Sequence, residues 1–307
     1  MDIYFAPLQG FTEDIYRRLH HQLVGGVDQY FSPFVRLEHG GVRSKDARDV
    51  RPEFNADVPF TPQVIAKDAL EFKALVDYLV GLGYHEVDLN MGCPFPLQAR
   101  HGRGSGLLQN PEEVRSILDA MKAYPEVAFS VKMRLGQDDA LEGERVLPLL
   151  NQTKLKHVTL HPRLGIQQYK GNVDLEAFAR FAEKIEHPLV YNGDLHTPED
   201  INRVVSMFPM LKGVMIGRGL LARPSLAVEY LSGNEWNEVQ RIRLIRQIHE
   251  HYHEQLSTII PGEGQLLGKL QTFWEYMDEE LIGKKALKKV RKAGNMKNYL
   301  AAVGEIK

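Results

Sequence analysis

Short apolar runs recur along the chain before residue 220, and between most of them the spacing of apolar positions lengthens from two residues to the helical period. Eight runs read as strands: Ile3 to Ala6, Gln29 to Phe34, Phe60 to Ile65, Glu86 to Asn90, Ala128 to Met133, His157 to His161, Leu189 to Asn192 and Gly213 to Ile216. Helix starts stand between them. Thr12 precedes Glu13 and Asp14, Asp68 precedes Ala69-Leu70-Glu71, Asn110 precedes Pro111-Glu112-Glu113, Asp174 precedes Leu175-Glu176-Ala177, and Thr197 precedes Pro198-Glu199-Asp200. Each places a capping side chain or a first-turn proline ahead of acidic residues that suit the positive end of the helix dipole. Eight strands with crossover helices predict an α/β fold, a closed (β/α)8 TIM barrel. An open doubly wound sheet is the alternative, since it alternates in the same way but less often reaches eight repeats.

From about Trp236 the strands stop. Val239 to Ser257, Gly264 to Met277 and Lys284 to Ala302 read as helices, punctuated by Pro261-Gly262 and Gly283. We therefore expect a barrel domain over residues 1–235 and a small all-α helical bundle over 236–307. The 307 residues suit that division, and 43% apolar with 25% charged residues is the composition of an ordinary globular protein. No run approaches the roughly 18 apolar residues of a membrane helix. The beginning, Met1-Asp2-Ile3-Tyr4-Phe5-Ala6-Pro7, reads as a first strand and not as a signal peptide. The single cysteine, Cys93, excludes an internal disulfide framework, and a cytoplasmic location is expected. Net charge divides unevenly: residues 236–307 carry 12 Lys and Arg against 9 Asp and Glu, whereas the rest of the chain is at −5. In the last 27 residues Lys284, Lys285, Lys288, Lys289, Arg291, Lys292, Lys297 and Lys307 face only Glu305. Charge alone reads first as a solvated helix face, with a surface for a phosphate backbone as the sharper alternative.

Candidate chemistry gathers where strands should end. Gln63 closes the third, Asn90 and Cys93 the fourth, Lys132 and Arg134 the fifth, His161 the sixth and Asn192-Gly193-Asp194 the seventh. Buried unsatisfied polar atoms cost about 1–3 kcal/mol each, so polar residues at five successive strand ends suggest a shared ligand at the barrel mouth. The eighth strand leaves through Met215-Ile216-Gly217-Arg218-Gly219, and glycine turns after strands seven and eight are a common phosphate site in this architecture. Cys93 follows the strand Glu86-Val87-Asp88-Leu89-Asn90 in a Gly-Cys-Pro turn, a place for a positioned acid, although an unpaired cysteine is as often a small buried hydrophobe.

These motifs, taken in order, resemble the tRNA-dihydrouridine synthases, and the resemblance covers essentially the whole chain. It is carried by Ala6-Pro7-Leu8-Gln9-Gly10-Phe11-Thr12, Asp88-Leu89-Asn90-Met91-Gly92-Cys93-Pro94, Val131-Lys132-Met133-Arg134, His161-Pro162-Arg163, Tyr191-Asn192-Gly193-Asp194 and Met215-Ile216-Gly217-Arg218-Gly219. The resemblance implies an FMN-dependent reductase of uridines in tRNA that draws on NADPH or NADH. Pro7 and Leu8 would line the isoalloxazine, Gln63, Lys132 and His161 would attend its polar edge, and Asn192, Gly193, Asp194, Gly217 and Arg218 would hold its phosphate. It further implies that Cys93 protonates C5 of the uracil while C6 is reduced, with Asn90, Arg134 and Arg163 on the substrate. A thiol with a pKa near 8.5 remains protonated at neutral pH and can serve as a general acid. No metal and no stable protein partner are implied, and the basic C-terminal helices become a surface for tRNA.

The chain departs from that family in two places. Most members carry a lysine two residues beyond the Cys-Pro pair, where Phe95-Pro96-Leu97 stands here, and His161-Pro162-Arg163-Leu164 replaces His-Gly-Arg-Thr. Other classes remain in view: a Schiff-base aldolase using Lys132, a flavin-dependent reductase of free pyrimidines, and an RNA-binding protein with an idle barrel. The run Phe34-Val35-Arg36 is similar to that of bacterial members acting on position 16 of the D-loop, but the residues leave the target uridine, the choice of nicotinamide and the oligomeric state open.

Overall fold

The computed structural model describes residues 1–306. Eleven strands occur in chain order: β1 (Asp2–Phe5), β2 (Gln29–Phe31), β3 (Leu37–Glu38), β4 (Gly41–Val42), β5 (Phe60–Thr61), β6 (Gln63–Val64), β7 (Glu86–Met91), β8 (Ala128–Gly136), β9 (Val158–Leu164), β10 (Leu189–Asn192) and β11 (Gly213–Ile216). β3 and β4 form a two-residue antiparallel hairpin outside the main sheet. The other nine pair in parallel in the order β5-β2-β1-β11-β10-β9-β8-β7-β6. β5 and β6 are consecutive in the chain, so the sheet returns on itself. The expected third strand is one barrel position broken at Pro62, which has no N–H for the ladder. Its carbonyl still accepts the N–H of Asp88, at 3.0 Å. This is the (β/α)8 barrel, with a helical region at its C-terminal side.

Alternation along each strand sorts side chains between two environments. On β7, Val87, Leu89 and Met91 face the helices and are fully buried, which turns Asp88 and Asn90 inward; on β8, Phe129, Val131 and Met133 do the same and turn Ser130, Lys132 and Arg134 inward. Below these polar residues the barrel interior is closed by Tyr4, Ala6, Phe31, Val190 and Met215.

Three of the sequence-read helix starts are side-chain caps. Asp68 accepts from the N–H of Glu71, Asp174 from that of Ala177, and Thr197 forms a capping box with Asp200. Thr12 does something else: its hydroxyl accepts the Leu8 N–H at 2.8 Å and closes the loop after β1, while Glu13 precedes the helix Asp14–Leu23.

In the C-terminal region the helices are Glu238–Ile259, Glu263–Phe273, Glu279–Ile282, Lys284–Arg291 and Met296–Gly304. The single helix expected over Lys284 to Ala302 is two, because Asn295 caps a fresh start by accepting the Asn298 N–H, just after Gly294. Glu229, fully buried on the last barrel-side helix, ties the regions together. Burial alone would raise its pKa, but Arg223, Arg241, Ser225 Oγ and the Trp236 N–H hold it at about 2. Apolar packing is also shared: Tyr16 of the first barrel helix lies edge-on to Tyr252 and against Phe273.

Within the helical region the Tyr299 hydroxyl takes hydrogen bonds from Trp274 Nε1 (2.8 Å) and His249 Nε2 (2.6 Å) and donates to the Leu270 carbonyl (3.1 Å). Burial keeps His249 neutral, with its pKa at about 4. Replacing Tyr299 by Phe leaves two buried donors without acceptors, and at about 1–3 kcal/mol per group we expect urea unfolding to report a loss of about 2–6 kcal/mol. A loss under about 0.5 kcal/mol, the scale of a surface change, would show that the cluster does not hold the region together.

Candidate active site

The inward residues open at the C-terminal end of the barrel strands into a cavity of about 550 Å³, a volume within the range of cofactor sites. Pro7, Leu8, Gln63, Asn90, Cys93, Lys132, Arg134, His161, Asn192, Gly193, Asp194, Gly217 and Arg218 all line it. Arg163, expected on the substrate, does not. It is 1% exposed, forks onto both carboxylate oxygens of Asp194 at 2.9 and 2.5 Å, and donates to the Gly171 carbonyl at 2.6 Å. Asp194 lies on the same side and satisfies a guanidinium that would otherwise be buried unpaired. Arg163 therefore positions Asp194 from behind.

Cys93 is held by a hydrogen-bond chain that begins inside the barrel. Ser130 Oγ donates to Asp88 Oδ1 (2.5 Å), Gln63 Nε2 to Asp88 Oδ2 (2.6 Å), and Asn90 Nδ2 to Gln63 Oε1 (2.7 Å). The remaining Asn90 oxygen accepts the N–H groups of Gly92 and Cys93 at 3.0 and 2.8 Å. Because Asn90 can turn its oxygen to the turn only by giving its amide to Gln63, each link fixes the orientation of the next. From the other side, the Cys93 carbonyl accepts the N–H and hydroxyl of Ser105, at 3.0 and 2.9 Å. Burial pushes the thiol pKa up from its ordinary 9.0, against the opposing pull of a backbone hydrogen bond from Phe95 and of Arg134, Lys132 and Arg36. At neutral pH Cys93 is a thiol, not a thiolate.

Positive charge exceeds negative at the mouth. Lys132, Arg134, Arg163 and Arg218 gather there with two carboxylates, Asp88 and Asp194. Lys132 Nζ donates to Asn192 Oδ1 at 2.8 Å, and burial lowers its pKa to about 8. Asp88, raised by burial to about 6 despite Ser130, Gln63 and Lys132, is mostly ionised at neutral pH. His161 is neutral, since burial and then Arg134 and Lys132 push its pKa well below 6.5. Its Nε2 lies 3.2 Å from an Arg163 nitrogen that can only donate, so Nε2 accepts and the proton sits on Nδ1. Arg218 donates to Asp194 at 3.0 Å, and both Arg218 and Arg134 lie over the Tyr169 ring, at 4.5 and 5.5 Å.

The turns after β10 and β11 expose backbone. Gly193 takes φ +148°, where a Cβ would come within 3.1 Å of His161, and Asp194 follows in the left-handed region at φ +44°. The N–H groups of Gly193, Asp194, Gly217 and Arg218 have no acceptor among the described residues.

Three contributors were missed at the level of sequence. Asp88 and Ser130 are the base of the Cys93 chain, and the period-two spacing from Asn90 and Lys132 was a signal for both. Tyr276 lines the cavity from the helical region and packs on Phe11 with ring centroids 4.7 Å apart. Nothing local in the sequence marks it, since only the tertiary fold brings it to the mouth.

A family model described as dihydrouridine synthase (Dus) matches residues 4–301. A tRNA-dihydrouridine(16) synthase from Pseudomonas syringae pv. tomato is 30% identical over 78% of this chain and 77% of its own. One of the same name from Pseudomonas putida is 26% identical over 98% and 87%, and a tRNA-dihydrouridine synthase B from Pseudomonas aeruginosa is 28% identical over 83% and 80%. With nearly its whole length matched, and with a single thiol fixed at the mouth of a parallel barrel, this chain belongs to the dihydrouridine synthase family.

Proposed function

We propose that the chain reduces the C5=C6 bond of a uridine in tRNA, with FMN as its cofactor and NADPH or NADH as reductant. The observation that carries this reading is Cys93, protonated, facing the cavity and immobilised by Asn90. An aldolase or an idle barrel would leave that thiol without a task, and the family assignment sets both aside.

The residues present fit FMN. Two uncompensated positive charges and four free backbone N–H groups suit a phosphate dianion beside Gly193, Asp194, Gly217 and Arg218. Pro7, Leu8 and Met215 give an apolar wall for the ring system, and Gln63, Lys132 and the Nδ1–H of His161 offer donors to its polar edge. At Gly217 a side chain would come within 3.3 Å of Ala6 and 3.2 Å of Leu8, so glycine keeps that wall open. Bound there, the flavin would supply hydride chemistry, accepting a hydride from the nicotinamide and delivering one to C6 of the base. Lys132, as an ammonium, would favour the anionic reduced ring. The Cys93 thiol supplies the proton to C5, and Arg134, 2% exposed and donating to the Leu164 carbonyl at 2.7 Å, borders the space the base would enter.

A uridine in folded tRNA must be unstacked to reach this depth, at a cost of a few kcal/mol. The basic helices can offset it. Lys284, Lys285, Lys288, Lys289, Lys292 and Lys297 are exposed, with Lys289 paired to Glu305. Arg291 instead turns inward and donates to the carbonyls of Trp274 and Glu275, which tethers this helix next to Tyr276 at the cavity. We assign residues 236–307 to tRNA binding, and place position 16 first among the uridines to examine because it appears in the names of several similar proteins. As for where such a protein resides, no helix among the described residues is long and apolar enough to cross a membrane.

Cys93→Ala is expected to retain FMN and its reduction by NADPH while losing about 100-fold or more of tRNA reduction in single turnover, the usual worth of a general acid. Retained tRNA reduction would remove Cys93 as the proton donor. Changing Lys284, Lys285, Lys288 and Lys292 together to Ala should weaken tRNA binding and flatten the slope of log affinity against log salt by about one unit for each lysine that meets a phosphate. An unchanged slope would place the RNA elsewhere.

A further inference from the structure

The loop that carries Cys93 also carries an aromatic ring whose exposure has no structural explanation. Phe95 lines the cavity yet is 59% exposed, and Leu97 beside it is 57% exposed. The backbone that carries this ring is fixed from both sides. Pro94 and Pro96 flank it, and Phe95 holds φ −63° and ψ 123°, the extended conformation required of a residue before proline. Its carbonyl accepts the N–H groups of Gln98 and Ala99, at 2.9 and 3.0 Å. Beneath the loop, Gly104 and Gly106 permit close seating. A Cβ on Gly104 would lie 2.6 Å from the Cys93 carbonyl oxygen, and one on Gly106 would lie 2.2 Å from that of Ala99. Gly104 also adopts φ +59°, which favours glycine.

Two flanking prolines and two closely seated glycines hold the Phe95 backbone at the rim, and its ring is exposed there. We propose that Phe95 is a stacking wedge for RNA: its ring takes the place of the base that leaves the stack and packs on the nucleobase next to it. The inference rests on the tRNA reading above. A base entering this cavity leaves one face of its neighbour uncovered, and an apolar ring at the rim, two residues from the proton donor, covers it. Apolar wedges at unstacked steps and base–aromatic stacking are general solutions to that problem. Preorganisation adds to the effect, because little backbone freedom of the loop remains to be lost on binding. A ring cannot neutralise a phosphate, so Phe95 contributes contact with the base and no share of the salt dependence. Arg100 and His101, exposed further along the loop, remain available to the backbone.

The test compares Phe95→Ala, Phe95→Leu and Phe95→Trp with the unmodified protein at matched flavin content. The readouts are kcat/KM for tRNA, the salt slope of tRNA binding, and the fluorescence of 2-aminopurine placed beside the target uridine. Stacking predicts a loss of roughly 10- to 100-fold for Phe95→Ala, nearly the same loss for Phe95→Leu, and recovery to within about threefold for Phe95→Trp. The salt slope should stay the same across the series, and the 2-aminopurine quenching expected with Phe95 should be absent with Ala. Phe95→Ala within about twofold of the unmodified protein, or Leu performing as well as Trp, would overturn the wedge while leaving the tRNA reading intact. Failure of the unmodified, flavin-loaded protein to reduce any tRNA uridine would overturn that reading and the wedge with it.

Discussion

The account depends on a carboxamide with no freedom to turn. Asn90 gives its amide hydrogens to Gln63 and its oxygen to two successive backbone N–H groups, and Gln63 is itself oriented by an ionised Asp88 that Ser130 also holds. A rotation of Asn90 would place like dipoles against each other at both ends and break several buried hydrogen bonds at once. The position of the thiol is thus set by groups two layers deep in the barrel, with Ser105 of the loop that follows holding the Cys93 carbonyl from the other side.

The mouth beyond is an electrostatic problem solved in part by the protein. Asp194 is shared by Arg163 and Arg218, Asp88 lies below Lys132, and further positive charge is left over. Burial first, and the neighbouring cations after it, depress Lys132 and keep His161 neutral, and the surplus makes the site favourable for an anion that brings its own negative charge. The same surroundings do not ionise Cys93, because burial outweighs the nearby cations for the thiol. One site can therefore hold an anionic group and an uncharged acid together.

The barrel was legible because it depends on alternation and on local turn chemistry, both written within a few residues. Val87, Leu89 and Met91 facing out force Asp88 and Asn90 in, and that arithmetic needs no tertiary information. The break at Pro62 and the fresh helix start at Asn295 were equally local but lay inside longer apolar patterns that obscured them. Long side chains were the least legible. Arg163 and Arg291 sit among residues that meet the cavity and the solvent, yet each turns towards partners far along the chain, Asp194 and the Trp274 carbonyl. The role of Tyr276 was invisible for the same reason. The loop after Cys93 stood out in sequence as a departure, and its geometry shows a ring held out in water instead of a cation.

Since Cys93 is the single cysteine, its reactivity can be read without ambiguity. The most direct test of a half-buried, protonated thiol fixed at the cavity is the rate of its alkylation by iodoacetamide as a function of pH in the native protein. The account predicts slow labelling at neutral pH and a midpoint above the ordinary 9.0. Rapid labelling with a midpoint at or below about 7, the behaviour of an activated thiolate, would contradict it.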